Sequence, residues 1–320
     1  MNVLITGGSG FLGSNLSNYI SNKGYRVKIL DNFSRNMHEN INPEIELIDC
    51  DVRDSENLIK HSKDTDIFIH LAFVNGTRYF YEKPELVLDV GVKGILNSIE
   101  CIKTHKIKKF ILASSSEVYN EPNQIPTNEY EAIKIPDVLN PRFSYSGGKI
   151  ISEILTINSV NDKDIDKIIF RPHNIFGKNM GEEHVIPELI KKIYIASKYF
   201  TDDSCTIEMQ GDGSQTRAFC YIDDAIDQIF FLLENGTNNN IYNVGINNEI
   251  KILDLAKKIA SILKINLNIK ISEDRIGSTN RRCPDIDKII NLGFNLKNNF
   301  NTGLTSTVEW YKEYYLKKNV

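Results

Sequence analysis

Short apolar runs alternate with amphipathic stretches over the first half of the chain. Asn2–Thr6 and Lys109–Ala113 have the length and composition of buried strands, whereas Phe11–Asn22 and Pro84–His105 carry apolar residues at helical spacing. This alternation is typical of strand–helix–strand units and predicts a parallel sheet with helices on both faces. The same pattern predicts strands at Arg26–Leu30, Ile45–Ile48, Asp66–His70 and Lys167–Phe170, and helices at Ser55–His61 and Tyr145–Ser159.

Beyond Pro172 the alternation becomes less regular. The pattern there predicts helices at Val185–Ser197, Asp223–Leu233 and Ile252–Leu263, and strands at Thr206–Gln210, Ile241–Val244 and Ile265–Ile271. The predicted fold is α/β, a Rossmann-type doubly wound parallel sheet with a smaller C-terminal α+β cap. We assign residues 1–173, completed by roughly 217–245, to the sheet domain, and residues 174–200 and 247–320 to the cap.

A glycine-rich turn follows the first strand directly. Gly7, Gly10 and Gly13 form a GxxGxxG pattern that opens the helix at Phe11–Asn22. Glycines at these places allow a tight turn and a close approach of the backbone to a pyrophosphate at the positive end of the helix. Asp31 ends the second strand, where a carboxylate can bind the adenosine ribose and repel a 2′-phosphate. The pattern predicts a dinucleotide site that prefers NAD to NADP.

Tyr145 and Lys149 are four residues apart in a predicted helix, which puts both on one face. An ammonium beside a phenol favours the phenolate, so we expect a lowered pKa for Tyr145, which suits proton transfer from a substrate hydroxyl. Ser114–Ser116 follow the strand Lys109–Ala113 at its carboxyl end, where a hydroxyl can hydrogen-bond the reacting oxygen. The alternative is a chance pair of exposed helix residues.

Taken together, the motifs resemble the extended short-chain dehydrogenase/reductase family, specifically its NAD-dependent sugar-nucleotide epimerase/dehydratase group. Along nearly the whole chain they occur in the family's order as GGSGFLG, LDN at 30–32, Asp51-Val52, His70-Leu71-Ala72, SSSEVY, YSGGK, RPHNIFG at 171–177, GDGSQTRAFCYIDD at 211–224 and RRCPDI at 281–286. The resemblance implies NAD as the cofactor. The residues expected to bind it are Gly7, Gly10, Phe11, Leu12, Gly13, Asp31, Asn32, Asp51, Val52, Leu71, Ala72, Phe73, Tyr145 and Lys149.

The resemblance also implies a catalytic set in which Ser115 assists Tyr145 as the base, while Lys149 contacts the cofactor ribose. Hydride transfer to NAD, most often from C4 of the sugar, is the shared first step in such enzymes. Glu117 bears on the next step, because related dehydratases and uronate decarboxylases often carry an acid just after the Ser/Thr, and dehydration needs a general acid. The alternative for Glu117 is a carboxylate hydrogen-bonded near the strand end.

The predicted function is therefore a sugar-nucleotide 4-dehydrogenase or 4-epimerase, with GDP-heptose or a similar surface-polysaccharide precursor among its candidate substrates. The alternatives are a 4,6-dehydratase or UDP-glucuronate decarboxylase that uses Glu117, and a noncatalytic NAD-sensing module. Arginines suit bidentate phosphate contacts, although each could instead form a surface ion pair. The resemblance implies that Asn174, Arg217 and one of the adjacent residues Arg281 and Arg282 bind the nucleotide diphosphate. The segment Asn75–Pro84, with Thr77, Arg78, Tyr79 and Tyr81, is expected to cover the sugar.

Several positions depart from the family pattern. Phe73 stands where the family often has a small Ala, Gly91 where an Asn is usual, and Ala218 where an Asp is frequent. Gly148 replaces the frequent Ser of the Tyr-x-x-Ser-Lys motif. A glycine in a helix interior costs roughly 1 kcal/mol relative to alanine, so Gly147 and Gly148 weaken this helix unless they serve close packing.

Composition narrows the choice of partners. The net charge of −4 argues against nonspecific nucleic-acid binding. The five cysteines include no Cys-x-x-Cys pair and the six histidines show no metal-ligand spacing, so no metal site is expected. With no apolar run of membrane-spanning length and a strand that begins almost at Met1, we expect a cytoplasmic protein.

The long helix at Pro84–His105 carries apolar residues on more than one side, as a helix packed on two sides does. Related enzymes pair this helix with the one at Tyr145–Ser159 across a symmetric interface. We therefore expect a homodimer with an isologous four-helix contact. The apolar positions of the long helix are Leu86, Val90, Ile95, Ile99 and Ile102.

Overall fold

The computed structural model describes residues 1–35, 40–160, 163, 165–211, 213–272 and 281–318. The strands are β1 (Asn2–Thr6), β2 (Arg26–Asp31), β3 (Glu46–Asp49), β4 (Ile67–His70), β5 (Lys109–Ala113), β6 (Asp166–Pro172), β7 (Ile175–Phe176), β8 (Ser204–Gln210), β9 (Thr216–Arg217), β10 (Cys220–Tyr221), β11 (Asn240–Val244), β12 (Ile250–Lys251), β13 (Asn266–Ser272) and β14 (Arg281–Arg282). The helices are α1 (Phe11–Asn22), α2 (Ser55–His61), α3 (Thr77–Glu82), α4 (Pro84–His105), α5 (Ser144–Asn158), α6 (Val185–Ala196), α7 (Ile222–Asn235), α8 (Ile252–Leu263), α9 (Asp287–Asn291) and α10 (Phe300–Lys318).

A seven-stranded parallel sheet forms the centre of the molecule, in the order β3-β2-β1-β4-β5-β6-β11. Side chains of β1 alternate between its two faces. Val3 and Ile5 pack in the cluster that contains Leu16 of α1 and Ile226 of α7, whereas Leu4 packs with Ile95 of α4 on the opposite face. The doubly wound Rossmann-type fold is thereby confirmed.

A second hydrophobic cluster lies outside the sheet and joins α6, α8 and α10 to β8. Its buried residues include Ile190, Ile207, Ile259 and Tyr311. β13 pairs in parallel with β8, and β9 lies between β12 and β14 in a small sheet of its own. We keep the cap boundaries as a proposal, since part of the cap (273–280 and 319–320) and Asp212 of the GDGSQ turn lie outside the described residues.

The predicted elements are all present, with some ends displaced by one or two residues. The pattern did not predict α3, α9, α10 or the short strands of the cap. No helix in the described part of the chain is both long and apolar enough to cross a bilayer.

Candidate active site

A cavity of about 400 Å³ opens at the carboxyl ends of the strands, where the strand order reverses between β1 and β4. This is the place where doubly wound sheets bind ligands. The predicted residues that line it are Gly7, Gly10, Phe11, Leu12, Gly13, Asp31, Asn32, Asp51, Val52, Leu71, Ala72, Phe73, Thr77, Ser115, Glu117, Tyr145, Lys149, Asn174 and Arg282. Two predicted residues, Arg217 and Arg281, do not line it.

The glycine-rich turn forms one end of this cavity. Gly7 has a φ of +69°, and a Cβ there would lie 2.6 Å from the backbone nitrogen of Ala72. A Cβ on Gly13 would lie 2.3 Å from the carbonyl oxygen of Gly7, so neither position accepts a side chain. Gly10 precedes α1 and provides no side-chain cap. Backbone N–H groups at the positive end of a helix fit the pyrophosphate of a dinucleotide.

Asp31 lies beside this turn. Its two carboxylate oxygens accept hydrogen bonds from the backbone nitrogens of Ser9 (3.0 Å) and Phe33 (2.9 Å). The carboxylate therefore orders the glycine-rich turn, besides standing where a ribose is expected. Arg35 is exposed, and its Nη2 donates to the carbonyl oxygen of Asn75 (2.6 Å) at the rim of the cavity.

Asp51 and Asn32 form the neighbouring wall. Asn32 Nδ2 donates to a carboxylate oxygen of Asp51 at 3.2 Å. Hydrogen bonds from the Arg53 side chain hold the pKa of Asp51 down to about 2 despite its burial. Asp51 is consequently an anion at every physiological pH, and Arg53 fixes its direction through Nε at 3.0 Å.

Tyr145 and Lys149 share one face of α5, as their spacing predicts. The Tyr145 ring stacks on Phe80 (centroids 4.9 Å apart) and meets the edge of Phe73 (5.1 Å). Lys149 Nζ donates to the carbonyl oxygen of Ala113 at 2.7 Å and lies 4.1 Å from the Phe73 ring centroid. The end of β5 and the start of α5 thus meet where the Phe73 and Phe80 rings pack against Tyr145.

Burial controls the titration of this pair. It raises the pKa of Tyr145 to about 12, with the hydrogen bond to Ser115 opposing the rise. It lowers the pKa of Lys149 to about 7. The expected lowering of the Tyr145 pKa by Lys149 is therefore wrong, because aromatic rings desolvate the phenol and the ammonium lies 5.8 Å from its ring centroid.

Ser115 follows β5 and caps a short 3-10 helix, Ser116–Tyr119. Its hydroxyl oxygen accepts from the backbone nitrogen of Glu117 (3.1 Å). The preceding residue, Ser114, donates its hydroxyl hydrogen to Glu153 of α5. Glu153 forms a buried two-point ion pair with Arg171 of β6, at 2.6 and 2.9 Å.

This ion pair ties the end of β5 to α5 and β6, and so fixes where the Ser115 hydroxyl lies relative to Tyr145. Neither partner was predicted. Arg171 opens the RPHNIFG motif and Glu153 stands four residues after Lys149, one helical turn along α5. That spacing was the available signal for Glu153.

The Glu117 carboxylate lies in a group of arginines. It pairs with Arg282 Nη1, and Arg142 Nη2 is 3.9 Å away. Burial raises the pKa of Glu117, but the positive charges of Arg282, Arg142 and Arg217 outweigh it and lower the pKa below its ordinary value. Glu117 is accordingly a carboxylate at neutral pH. Arg142, just before α5, is a neighbour that the sequence did not indicate.

The adjacent arginines of β14 point to opposite sides, as neighbours on an extended segment do. Arg282 reaches Glu117 in the cavity with 15% of its side chain exposed. Arg281 is 50% exposed and pairs with Glu249 at 2.6 Å. Arg217 lies beside Arg282 in the strand register, and burial together with the Arg282 charge lowers its pKa to about 10.

The segment Asn75–Pro84 was expected to cover the sugar through Thr77, Arg78, Tyr79 and Tyr81. Within it, Thr77–Glu82 form α3. Thr77 and Phe80, three residues apart on that helix, line the cavity, whereas Arg78 pairs with Glu82 at 3.1 Å on the outer surface. Phe80 was missed because the helix period of this short segment was not recognised.

The combination of this crevice with the Ser115–Tyr145–Lys149 set is the arrangement of the extended short-chain dehydrogenases/reductases. The model of the NAD dependent epimerase/dehydratase family matches residues 3–245. The chain belongs to this family, which confirms the resemblance seen in its motifs, and NAD is its cofactor.

Relatives match along the full length of the chain. A putative UDP-glucose 4-epimerase of Methanocaldococcus jannaschii is 31% identical over 97% of this chain and 98% of its own. A UDP-N-acetyl-alpha-D-glucosaminuronate decarboxylase of Bacillus cytotoxicus is 28% identical over 97% of each. The solved UDP-N-acetylglucosamine 4-epimerase of Methanobrevibacter ruminantium, in complex with UDP-N-acetylmuramic acid, superposes with a TM-score of 0.86 at 26% identity, covering 98% of each chain. The relatives of this chain are enzymes, and this chain is also an enzyme.

Proposed function

We propose that this chain removes hydride from C4 of a nucleotide-activated sugar, giving a 4-keto sugar that is released or reduced on its other face. The observation that carries the proposal is the meeting of Ser115, Tyr145 and Lys149 in one cavity with the glycine-rich turn. When bound, NAD supplies the hydride acceptor. Tyr145 takes the proton of the sugar hydroxyl, and Ser115 hydrogen-bonds the same oxygen.

The cofactor contacts implied by the sequence remain part of this proposal. The turn at Gly7–Gly13 would hold the pyrophosphate, and Asp31 the adenosine ribose. Asp51 and Val52 would border the adenine. Lys149 would contact the second ribose, since its ammonium lies at the edge of the same cavity.

For the substrate we propose that Arg282 and Asn174 bind the diphosphate from the cavity side. Arg217 is next to Arg282 in the small sheet and does not line the cavity, so it adds positive charge from outside the cavity wall. Thr77 borders the sugar end. An arginine fork matches two phosphate oxygens at once, so Arg282 contributes direction as well as charge.

The state of Glu117 favours simple oxidation over loss of water. Dehydration needs a proton donor for the departing C6 hydroxyl. Glu117 is held as a carboxylate by Arg282, so it lacks the proton that this step requires at neutral pH.

A second candidate is decarboxylation of a sugar uronate. Once C4 is a ketone, a carboxylate at C6 is a β-keto acid and leaves as carbon dioxide without a general acid. The observation in favour is charge: the positive charges of Arg282, Arg142 and Arg217 all act on the Glu117 carboxylate, so a substrate carboxylate beside it would meet the same arginines. The Bacillus cytotoxicus relative is named for such a reaction.

Incubation with a panel of UDP-, GDP-, CDP- and dTDP-sugars, with GDP-heptose and UDP-glucuronate among them, tests the proposal. NADH absorbance reports oxidation, and the product mass separates oxidation or epimerisation from loss of water or of carbon dioxide. Loss of water from any substrate would contradict the role given to Glu117. NAD binding with no turnover on any sugar would leave the noncatalytic module as the better description.

We also propose a cytoplasmic homodimer. α4 and α5 pack side by side, and their outer faces expose Leu88, Leu96, Ile151 and Ile154. Exposed apolar residues in neighbouring rows of two helices are suited to an isologous four-helix contact. All five cysteines are buried free thiols, which supports a reducing compartment.

A further inference from the structure

Three of the departures from the family pattern meet at one point of the structure. The Phe73 ring lies between α4 and α5, against Gly91 and Gly148. A Cβ on Gly91 would lie 2.3 Å from Phe73 Cζ, and a Cβ on Gly148 would lie 2.8 Å from the same atom. Real Cβ atoms do not approach this closely, so each glycine provides space that the ring occupies. The Phe73 side chain fills the space that side chains at positions 91 and 148 would otherwise occupy, so the three departures compensate one another.

In the space beside Gly91 and Gly148, the face of the Phe73 ring lies against Lys149. The Nζ atom lies 4.1 Å from the Phe73 ring centroid, within the range of a cation–π contact. Its other described partner is the carbonyl oxygen of Ala113, at 2.7 Å. Both contacts favour the charged ammonium, which lies farther from the Tyr145 ring centroid, at 5.8 Å.

We propose that Phe73 is a positioning residue, which holds the Lys149 ammonium in place through its ring face and depends on Gly91 and Gly148 for its own seat. The idea rests on the proposed role of Lys149 in catalysis, but the contact itself can be measured separately. Burial alone disfavours the ammonium. The electron-rich face of Phe73 offsets part of that cost, so the ring decides how much of Lys149 is charged at neutral pH.

The test uses protein labelled with 13C at the lysine Cε and loaded with NAD. Lys149 is assigned by loss of its resonance in Lys149→Met. Its depressed pKa separates it from surface lysines, which titrate near their ordinary value. A ring face at this distance also shifts the Lys149 resonances upfield. Both signals report on the ammonium itself and do not require turnover.

Phe73→Leu keeps the site apolar and removes the ring face. We expect the upfield shift to vanish and the pKa of Lys149 to fall by about one, from the size of a desolvated cation–π contact. The charged fraction, and with it kcat at neutral pH, should drop by up to about tenfold. Phe80→Leu is the matched control for the Lys149 resonance and pKa, because Phe80 also contacts the Tyr145 ring, whereas the described cation–π contacts of Lys149 do not include it.

The two neighbouring glycines of α5 provide a second comparison. Gly148→Ala places a methyl group against Phe73 and should displace the ring, so the upfield shift of Lys149 is lost. Gly147→Ala gives the same gain in helix propensity, but its methyl meets nothing closer than Ile135 Cδ1 at 3.8 Å. It should leave Lys149 unchanged.

Coupling between the positions completes the test. Gly148→Ser as a single substitution should destabilise the protein. In a Phe73→Ala background the same substitution should destabilise it much less, since the ring that the new side chain would contact is then absent. An unchanged Lys149 resonance and pKa in Phe73→Leu would overturn the proposal, even if Lys149→Met abolishes turnover. Full turnover by Lys149→Met would instead refute the catalytic role while leaving the contact intact.

Discussion

Arg282 and Glu117 form an ion pair although they are 165 residues apart in the sequence. The pair joins β14 to the segment that follows β5, and both residues line the cavity. A diphosphate that enters this site competes with Glu117 for the guanidinium or binds its remaining donors. In either case we expect Arg282, and not Arg281, to contact the substrate.

Arg282→Ala should weaken binding of a free nucleoside diphosphate by about tenfold or more. Loss of a charge-assisted hydrogen bond costs about 1.5–3 kcal/mol, and Glu117, with one arginine fewer beside it, adds repulsion. Arg281→Ala is the matched control and should have little effect, because Arg281 is engaged with Glu249 on the outside. Calorimetry of both variants checks this, and equal losses would refute the assignment.

Tyr145→Phe should abolish turnover and preserve NAD binding. The variant removes the phenolic oxygen but keeps the ring between Phe73 and Phe80. Lys149→Ala should reduce both, since the ammonium is proposed to contact the cofactor as well. Steady-state rates and cofactor titration separate the two cases. A Tyr145→Phe protein that keeps most of its kcat would exclude this residue as the base.

Oxidation of the sugar should accelerate as the pH rises toward about 7 and level off above it. The raised pKa of Tyr145, about 12, leaves the phenol protonated near neutral pH, and its phenolate fraction grows with each increment of pH below that value. The rise should be about tenfold per pH unit below about pH 7, whereas above it the loss of the Lys149 ammonium, whose pKa is about 7, offsets the gain. The reverse reduction, which needs the protonated phenol, should not share it. A pH-independent forward kcat would contradict this reading of the site.

NAD(H) should bind far more tightly than NADP(H). The Asp31 carboxylate stands at the end of β2 and would repel a 2′-phosphate. Its hydrogen bonds to Ser9 and Phe33 hold it there, so it cannot swing away without disturbing the turn. Calorimetry with the two cofactors decides the point. Equal affinities would show that Arg35, at the cavity rim, compensates.

The proposed dimer can be tested at its apolar face. Ile154→Glu should give a monomer, since Ile154 is 53% exposed on α5 and a buried unpaired charge would destabilise the contact. Ile271→Glu is the control, because Ile271 is 65% exposed on β13 in the cap. Light scattering measures both masses. A monomeric wild-type chain would remove the basis for the interface.

The sheet, the glycine-rich turn and the Tyr145–Lys149 pair follow from local sequence patterns, whereas most other site residues follow from the family resemblance. Alternation of strands with helices predicted the order of elements, and the glycine pattern located the cavity at the switch point. α10 was missed because its many polar residues and Gly303 hide its apolar row. Leu304, Val308, Tyr311 and Tyr315 nevertheless recur at helical spacing and are buried.

Other features depend on contacts between distant segments. The packing of Phe73 against Gly91 and Gly148 unites three separate departures that no local pattern connects. The direction of the Tyr145 pKa shift was predicted from one neighbour, whereas the shift is governed by total burial. The choice between Arg281 and Arg282 required the register of β14 beside β9.

The position of β11 at the edge of the sheet has a consequence for synthesis of the chain. Six strands of the sheet are complete once residue 172 has been made, but β11 ends at residue 244. α6 of the cap and the strand β8 leave the ribosome before β11 does. During translation, the edge of β6 that pairs with β11 therefore stays unpaired until part of the cap has been synthesised. A circular permutant that supplies β11 earlier should shorten this exposure.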